Sequence, residues 1–200
     1  MHPNTSFRWE DHAALRAFAT DIGFGVLFAA TPDGPRAAHL PFVFLDDDRI
    51  AFHIARSNAI TRHLPGAEAL LVVNGADAYV SPDWYGMADQ VPTWNYQAVE
   101  YQGRITPLER EALVAQVDAL SDSREARLAP KPVWTRGKMS DGLFEKMLRG
   151  IVGFELRISD VRGTSKLGQN KPKAARRGLA DALDAQGKAE MAALTRNLPS

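Results

Sequence analysis

The chain has 200 residues, enough for one compact domain or for a domain with a small appendage. Its 24 Lys and Arg residues balance 24 Asp and Glu residues, so the formal net charge of zero argues against a protein built to cover phosphate backbones. The absence of cysteine excludes disulfides, thiolate nucleophiles and cysteine-ligated metals, and a composition that is 45% hydrophobic and 24% charged excludes a disordered or collagen-like chain.

The first half of the chain is predicted to be mainly β. A helix over 11–21 is expected first, capped by Asp11, and the clearest hairpin joins 40–44 to 50–54 through three aspartates at 46–48. A Pro- and Gly-rich turn at 31–35 separates that hairpin from the preceding strand. The remaining elements predicted here are strands at 23–30, 68–74, 78–81 and 93–105 and a short helix at 59–63.

In the second half of the chain, apolar residues recur mainly at helical spacing. Helices are predicted at 108–120, 141–149, 172–183 and 188–194, with Ser140 or Asp141 as the cap of the second of these helices. A strand is expected at 151–158 and a long loop at 121–138. Several short strands followed by helices favour the α+β class, with an antiparallel barrel carrying peripheral helices.

Signatures of common enzymes and of membrane anchoring are absent from the sequence. We find no phosphate-binding loop, dinucleotide fingerprint, nucleophile elbow or zinc-protease motif. The first residues lack the features of a signal peptide, and the apolar runs are shorter than the roughly 20 residues that span a bilayer. We therefore expect a cytoplasmic protein with no metal site.

Aromatic residues concentrate in one segment. Six of the eight Trp and Tyr residues lie between Tyr79 and Tyr101, including Trp94. Large rings with polar groups suit a planar ligand or an interface, although packing in the core or in a hairpin is the commoner use of such rings.

Two histidines flank the three-aspartate turn. His39 and His53 lie at nearly equal distances from it, on the face opposite Leu40 and Phe52, so they are predicted to be cross-strand neighbours. Hydrogen bonding on a barrel face is the commoner role for such a pair, ahead of a ligand or subunit contact. A metal site would need at least one more ligand.

Two further segments could bind an anion. Arg56, Ser57 and Asn58 end a strand and open a helix, which offers a guanidinium, a hydroxyl and backbone N–H groups to a phosphate. The segment 166–171 supplies two ammonium groups and two amides before an Ala-rich helix, with Asn170 as its expected cap. Helix capping and solvated basic faces are the alternatives at both places. Three basic residues follow in that helix: Lys173, Arg176 and Arg177.

These motifs occur together in an order that resembles the PaiB family, FMN-binding negative transcriptional regulators of bacteria. The resemblance covers roughly residues 7–180. Gly168 departs from the family pattern, which has serine there and so carries one more hydroxyl. The matching segments are His39–Phe42, His53–Asn58, Ala78–Tyr85, Val91–Tyr96, Glu145–Glu155 and Lys166–Lys171.

The resemblance implies an FMN-binding split barrel: six antiparallel strands, paired into a homodimer with the flavin at the interface. It implies a barrel domain at 1–165 and a helical extension at 166–200, packed on the barrel or on the dimer partner. It assigns the phosphate to Arg56, Ser57 and Asn58, with Lys166 as a second charge. It places Trp94, Asn95, Gln169 and Asn170 near the flavin ring or ribityl chain, and His39 and His53 on the same face.

Three functions follow as hypotheses. The first is an FMN-binding PaiB-type regulator that acts as a homodimer and regulates by binding DNA or a protein partner. The second is a flavin-dependent NAD(P)H oxidoreductase, whose chemistry would come from the cofactor. The third is a haem-binding or haem-degrading split barrel, in which His39 or His53 would be the natural iron ligand.

Overall fold

Seven β-strands form one sheet in the computed structural model, which describes residues 2–199. Their order is β1-β7-β4-β3-β2-β5-β6, and β6 also pairs with β7. Strands β2 to β7 therefore close a ring of six, as predicted, and β1 adds a short seventh strand. The strands are β1 (Arg8–Trp9), β2 (Phe24–Thr31), β3 (Gly34–Phe44), β4 (Arg49–Ala55), β5 (Glu68–Val80), β6 (Thr93–Pro107) and β7 (Ile151–Lys166).

Within residues 2–199, five α-helices accompany the strands. The first begins after Asp11, whose carboxylate accepts a hydrogen bond from the Ala14 amide at 3.0 Å and so caps the helix as predicted. Among residues 2–199, no helix is long and apolar enough to cross a membrane. The helices are α1 (His12–Ile22), α2 (Arg110–Glu125), α3 (Leu143–Leu148), α4 (Lys173–Ala185) and α5 (Ala189–Arg196).

The chain divides into two units. Unit 1 is drawn from residues 1–15, 74–99 and 162–200, and unit 2 from residues 16–73 and 100–161. The C-terminal residues expected to form a helical extension thus share unit 1 with segments from the start and the middle of the chain.

Unit 2 contains the predicted hairpin. Strands β3 and β4 pair with Phe42 opposite Phe52, and β4 pairs with β7 so that Phe52 lies opposite Phe154. All three phenylalanines are fully buried, and the rings of Phe52 and Phe154 stack with centroids 5.8 Å apart. Burying such a side chain contributes about 1.5–3 kcal/mol, so this aromatic core is a main source of stability for unit 2.

Unit 1 has a core of its own. Strand β1 pairs with the end of β7, Arg8 opposite Thr164. Tyr85 and Leu167 pack into a buried apolar cluster with one face of α4 and α5, including Leu179 and Leu183. This cluster positions the turn that follows Leu167.

Several predicted boundaries are wrong. Strands expected at 68–74 and 78–81 are one strand, β5, because the ladder continues through residues 75–77. Helix α2 extends to Glu125, so the predicted loop begins later. Helix α3 begins after Gly142 without a side-chain cap, and α4 begins after Pro172, so Asn170 is not its cap.

Candidate functional site

A polar cavity of about 160 Å³ lies within unit 1. We call it the Asn95 cavity. Its walls come from the start of the chain, the segment before and into β6, and the turn after β7. It is lined by Phe7, Tyr85, Gln90, Val91, Thr93, Asn95, Lys166, Gly168, Asn170 and Lys171.

Asn95 is the buried polar group of this cavity. It lies on β6 and is 1% exposed, and both atoms of its side-chain amide lack a hydrogen-bond partner among the described residues. Leaving a buried donor or acceptor unsatisfied costs about 1–3 kcal/mol. A native amide that bears this cost is a candidate for pairing with a ligand, because a ligand can satisfy its N–H and C=O groups together.

Two lysines give the cavity positive charge. The Lys166 Nζ donates to Thr93 Oγ1 at 2.5 Å, and burial lowers the pKa of this lysine. The Lys171 Nζ donates to Gln90 Oε1 at 2.5 Å and lies 5.2 Å from the centre of the Tyr85 ring. No carboxylate is among the lining residues, so the cavity suits an electron-rich or anionic group.

Gly168 shapes the wall of the cavity next to Asn95. Its φ of +84° lies in the left-handed region, which favours glycine. A Cβ there would lie 3.8 Å from the Asn95 Nδ2 and 3.5 Å from Leu179. Glycine therefore leaves the Asn95 amide without the neighbouring hydroxyl that a serine would supply.

The other residues expected near the flavin fall in different places. Asn170 lines the cavity. Gln169 does not: its Oε1 accepts from the Leu167 amide at 2.9 Å, and its Nε2 donates to the carbonyls of Ser165 and Ser6. The Gln169 amide thus fixes the turn that presents Gly168 and Asn170.

Trp94 is not among the cavity-lining residues. Side chains alternate along a strand, so Trp94 points away from the face that carries Thr93 and Asn95. It is 55% exposed, and its ring centre lies 6.2 Å from that of Tyr79, which also contacts Trp84. Tyr79 and Trp94 thus form an exposed aromatic pair in unit 1, next to the partly buried Trp84.

The Arg56–Asn58 segment forms a turn in unit 2. The Arg56 Nε donates to the Arg149 carbonyl at 3.0 Å, and its Nη2 donates to the Ile151 carbonyl at 3.2 Å. The Asn58 Oδ1 accepts from the Ile60 amide at 3.1 Å. Ser57 is exposed. The guanidinium is thus partly engaged by the backbone, and the segment leads into a 3-10 turn, Thr61–His63, shorter than the predicted helix.

The two histidines are not cross-strand neighbours, which corrects the prediction. His39 lies opposite Val26 on β2, and His53 lies opposite Gly153 on β7. The register of β3 and β4 pairs Val43 with Ala51, which offsets the two histidines by two positions. The pairing is centred on Asp47, the middle of the turn. His39 lies eight residues before Asp47 and His53 lies six residues after it, so their spacing from the turn is unequal.

The histidines differ in surroundings. His39 is exposed and stacks on Phe24, with ring centres 6.4 Å apart. The His53 Nδ1 lies 2.8 Å from the Oε1 of buried Gln116. His53 also lines a mainly apolar cavity of about 250 Å³ in unit 2, with Trp134 and Phe144 among its other walls.

Residues that the sequence analysis left out of the site complete the Asn95 cavity. Tyr85, Thr93 and Lys171 all line it. All three lie within the segments that carry the family resemblance, and Thr93 lies two residues before Asn95 on the same face of β6. The alternation of β6 was the available signal for Thr93.

The closed six-stranded ring defines a protein of the split-barrel class, and the lysine-bearing polar cavity is its candidate ligand site. Residues 1–160 match the sequence profile of the family described as "Putative FMN-binding domain". The chain is also 34% identical over 158 residues to the Protease synthase and sporulation protein PAI 2 of Bacillus subtilis. The aligned region covers 77% of this chain and 75% of that protein. The chain belongs to this FMN-binding family, the PaiB family that its motifs predicted.

Solved structures share the fold. The FAD and heme binding protein from Mycobacterium smegmatis has a TM-score of 0.60 and 19% identity, over 80% of this chain and 74% of that one. The flavocytochrome Anf3 from Azotobacter vinelandii has a TM-score of 0.57 and 17% identity, over 83% of this chain and 72% of that one. At these identities the likeness concerns the fold.

Proposed function

We propose that the Asn95 cavity holds the pyrimidine edge of FMN, that the flavin is shared across a homodimer interface, and that the protein is a PaiB-type negative transcriptional regulator. The observation that carries the flavin assignment is the buried, unpartnered amide of Asn95. Membership of the FMN-binding family supports FMN as the cofactor, and the resemblance to PaiB regulators supports the proposed regulatory role.

The chemistry of the cavity matches that edge of the flavin. The pyrimidine edge presents carbonyl oxygens beside an N–H group. An amide can donate to one of these and accept from the other. Lys166 and Lys171 provide positive charge of the kind that tunes a flavin near its N1 and O2 atoms. Bound FMN would supply electron or hydride transfer, and the residues of the cavity would orient it.

The size of the cavity supports a shared site. Ligand pockets for molecules of drug size occupy about 300–1,000 Å³. The Asn95 cavity, at about 160 Å³, can take one end of such a molecule. The exposed Trp94, Tyr79 and Val91 of unit 1 offer an apolar surface for a second copy to cover.

The phosphate of FMN remains assigned to Arg56, Ser57 and Asn58. Support comes from the exposure of all three residues and from the position of the segment at the end of β4. If the assignment is correct, Arg56→Gln weakens FMN binding more than it weakens riboflavin binding, since riboflavin lacks the phosphate. Equal losses for the two flavins would remove Arg56 from the phosphate site.

The first test is the visible spectrum of the purified protein and of the supernatant after heat denaturation. We expect a flavin spectrum and released FMN. Asn95→Leu should lower FMN affinity by at least about tenfold, the equivalent of about 1.4 kcal/mol. Asn197→Leu, an exposed asparagine of unit 1 outside the cavity, is the matched control and should bind FMN normally. FMN binding unchanged in Asn95→Leu would refute the assignment.

Dimerisation and regulation need separate measurements. Sedimentation at micromolar concentration should give twice the chain mass, and a monomer would contradict the interfacial site. Operator binding that changes with flavin occupancy would support the regulator. Bleaching of bound flavin by NAD(P)H, without any effect on DNA, would instead favour the oxidoreductase.

One observation favours haem as the second candidate. Because Gln116 holds the His53 Nδ1, the Nε2 is the nitrogen left to ligate iron, and His53 lines an apolar cavity with two aromatic walls. A Soret band in the purified protein that His53→Ala abolishes would support this reading. A protein that takes up FMN but no haem would reject it.

A further inference from the structure

A second cleft in unit 1 carries an excess of positive charge. Its volume is about 340 Å³, and helices α4 and α5 provide its walls. We call it the Arg176 cleft. It lies in the part of the chain that follows residues 1–160, which match the family profile. It is lined by Lys173, Arg176, Arg177, Asp181, Thr195, Arg196 and Leu198.

Arg176 is a buried cation without an anionic partner in the described chain. Its side chain is 8% exposed, and one nitrogen, Nη1, donates to the Pro199 carbonyl at 2.8 Å. Its Nε has no hydrogen-bond partner, and no carboxylate of residues 2–199 forms an ion pair with it. An N–H group of a buried guanidinium that has no hydrogen-bond partner costs free energy, and an anion in the cleft would offset this cost.

The other charges of the cleft do not neutralise Arg176. Asp181 and Asp184 both form ion pairs with Arg196, at 2.9 and 2.5 Å, and not with Arg176. Arg177 is exposed at the same end of α4.

The start of α4 adds to the imbalance. This helix of 13 residues has no acidic residue in its first turn and no side-chain cap. The positive end of the helix dipole therefore lies among cations, an arrangement that favours an anion there.

We infer that the Arg176 cleft is an oxyanion site that takes a phosphate group. The planar guanidinium of Arg176 would donate its Nε–H to one phosphate oxygen, with Arg177 adding charge at the rim. The phosphate could belong to a free phosphorylated molecule or to a nucleic-acid backbone. The inference rests on unit 1 alone and does not depend on where FMN binds.

The test uses the full flavin-loaded protein and inorganic phosphate as the probe. Phosphate should bind by calorimetry and raise the Tm beyond the effect of chloride at the same ionic strength. Arg176→Gln should weaken phosphate binding by at least about tenfold, and Arg176→Lys should weaken it less because it keeps the charge. Arg8→Gln, an exposed arginine of unit 1 outside the cleft, is the matched control.

A second variant covers the case in which Arg176→Gln does not fold. Arg177→Gln changes an exposed side chain and should weaken phosphate binding several-fold. Phosphate affinity that is equal in the wild type and in both variants, or a Tm increase that chloride reproduces, would overturn the proposal. The flavin absorbance of each variant shows whether a loss concerns the Arg176 cleft or the flavin site.

A competition arm distinguishes the two sources of phosphate. Short duplex DNA that displaces phosphate from the wild type, but no longer binds Arg176→Gln, would place a nucleic-acid phosphate in the cleft. Phosphate binding that duplex DNA does not disturb would indicate a small phosphorylated ligand.

Discussion

Unit 2 and unit 1 bury different kinds of side chain. The fully buried phenylalanines Phe42, Phe52 and Phe154 all lie in unit 2, whereas the core of unit 1 is built mainly of smaller side chains such as Leu179 and Leu183. Unit 1 buries Asn95 with neither side-chain polar atom paired and Arg176 with an unpaired Nε. In unit 2 the buried Gln116 has one unpaired atom, but its Oε1 is paired with His53.

The comparison separates stability from binding. Buried apolar area in unit 2 stabilises the fold regardless of any ligand. The unpaired buried polar atoms of unit 1 cost stability until something binds them. We therefore expect substitutions in unit 2 to change folding, and substitutions at these positions in unit 1 to change binding.

The largest effect on stability should come from the unit 2 core. Phe52→Ala removes a fully buried ring that stacks on Phe154 and should lower the free energy of unfolding by about 3–5 kcal/mol. Phe28→Ala on β2 is the matched control. Because Phe28 is 42% exposed, this substitution should lower the free energy of unfolding much less. Urea denaturation of both variants measures the difference, and equal losses would show that burial does not set the stability of this unit.

The Asn95 cavity should show the opposite behaviour. Asn95→Leu replaces an unpaired buried amide by an apolar side chain of similar size. The free energy of unfolding of the flavin-free protein should therefore rise by about 1–2 kcal/mol. The same change should weaken FMN binding. Denaturation of the flavin-free protein measures the gain; a marked loss of stability would mean that the amide is already satisfied without a ligand.

Burial in unit 2 should also set a pH dependence. Burial raises the pKa of Tyr101 to about 12, against the opposing effect of nearby Arg16. Above pH 10 the unfolded chain loses this proton while the folded chain keeps it, so stability falls as the pH rises. The free energy of unfolding should drop by about 1 kcal/mol between about pH 10 and about pH 11. Tyr101→Phe should remove this component, and an unchanged slope would contradict it.

The smallest change in stability is expected from a substitution on the surface of unit 2. The hydrogen bond from the Arg49 side chain, together with the Asp48 amide, lowers the pKa of Asp46 at the turn between β3 and β4. The stability from this pair should be present above the ordinary aspartate pKa and be lost as the pH falls through the lowered value. Asp46→Asn should slightly flatten the acid side of the stability profile. A large loss of stability at neutral pH would show that Asp46 stabilises the turn by more than its interaction with Arg49.

Most strands of the barrel were predicted from local alternation and turn residues, whereas their number, six, followed from the family resemblance. Alternation of Leu40 and Phe42 against Ile50 and Phe52 fixes which face is buried, and the aspartates mark the turn. The positions of the histidines were predicted wrongly for a simple reason. The β3–β4 pairing is centred on Asp47, and His39 lies eight residues from that centre whereas His53 lies six residues from it.

The lining of the Asn95 cavity was predicted in part. Asn95, Lys166 and Asn170 do meet at one cavity, as their motifs implied, whereas Gln169 supports the turn and Trp94 points elsewhere. That Asn95 lacks a partner could not be read from the sequence, since it depends on the chain path around Gly168. The burial of Arg176 likewise depends on how α5 packs against α4.

The most direct measurement is the NMR signal of the Asn95 side-chain amide during FMN titration, assigned by its loss in Asn95→Leu. We predict that FMN shifts the two amide protons and slows their exchange with water, while those of Asn197 stay unchanged. Flavin uptake that leaves the Asn95 signals unmoved would place FMN elsewhere and contradict the assignment of this cavity.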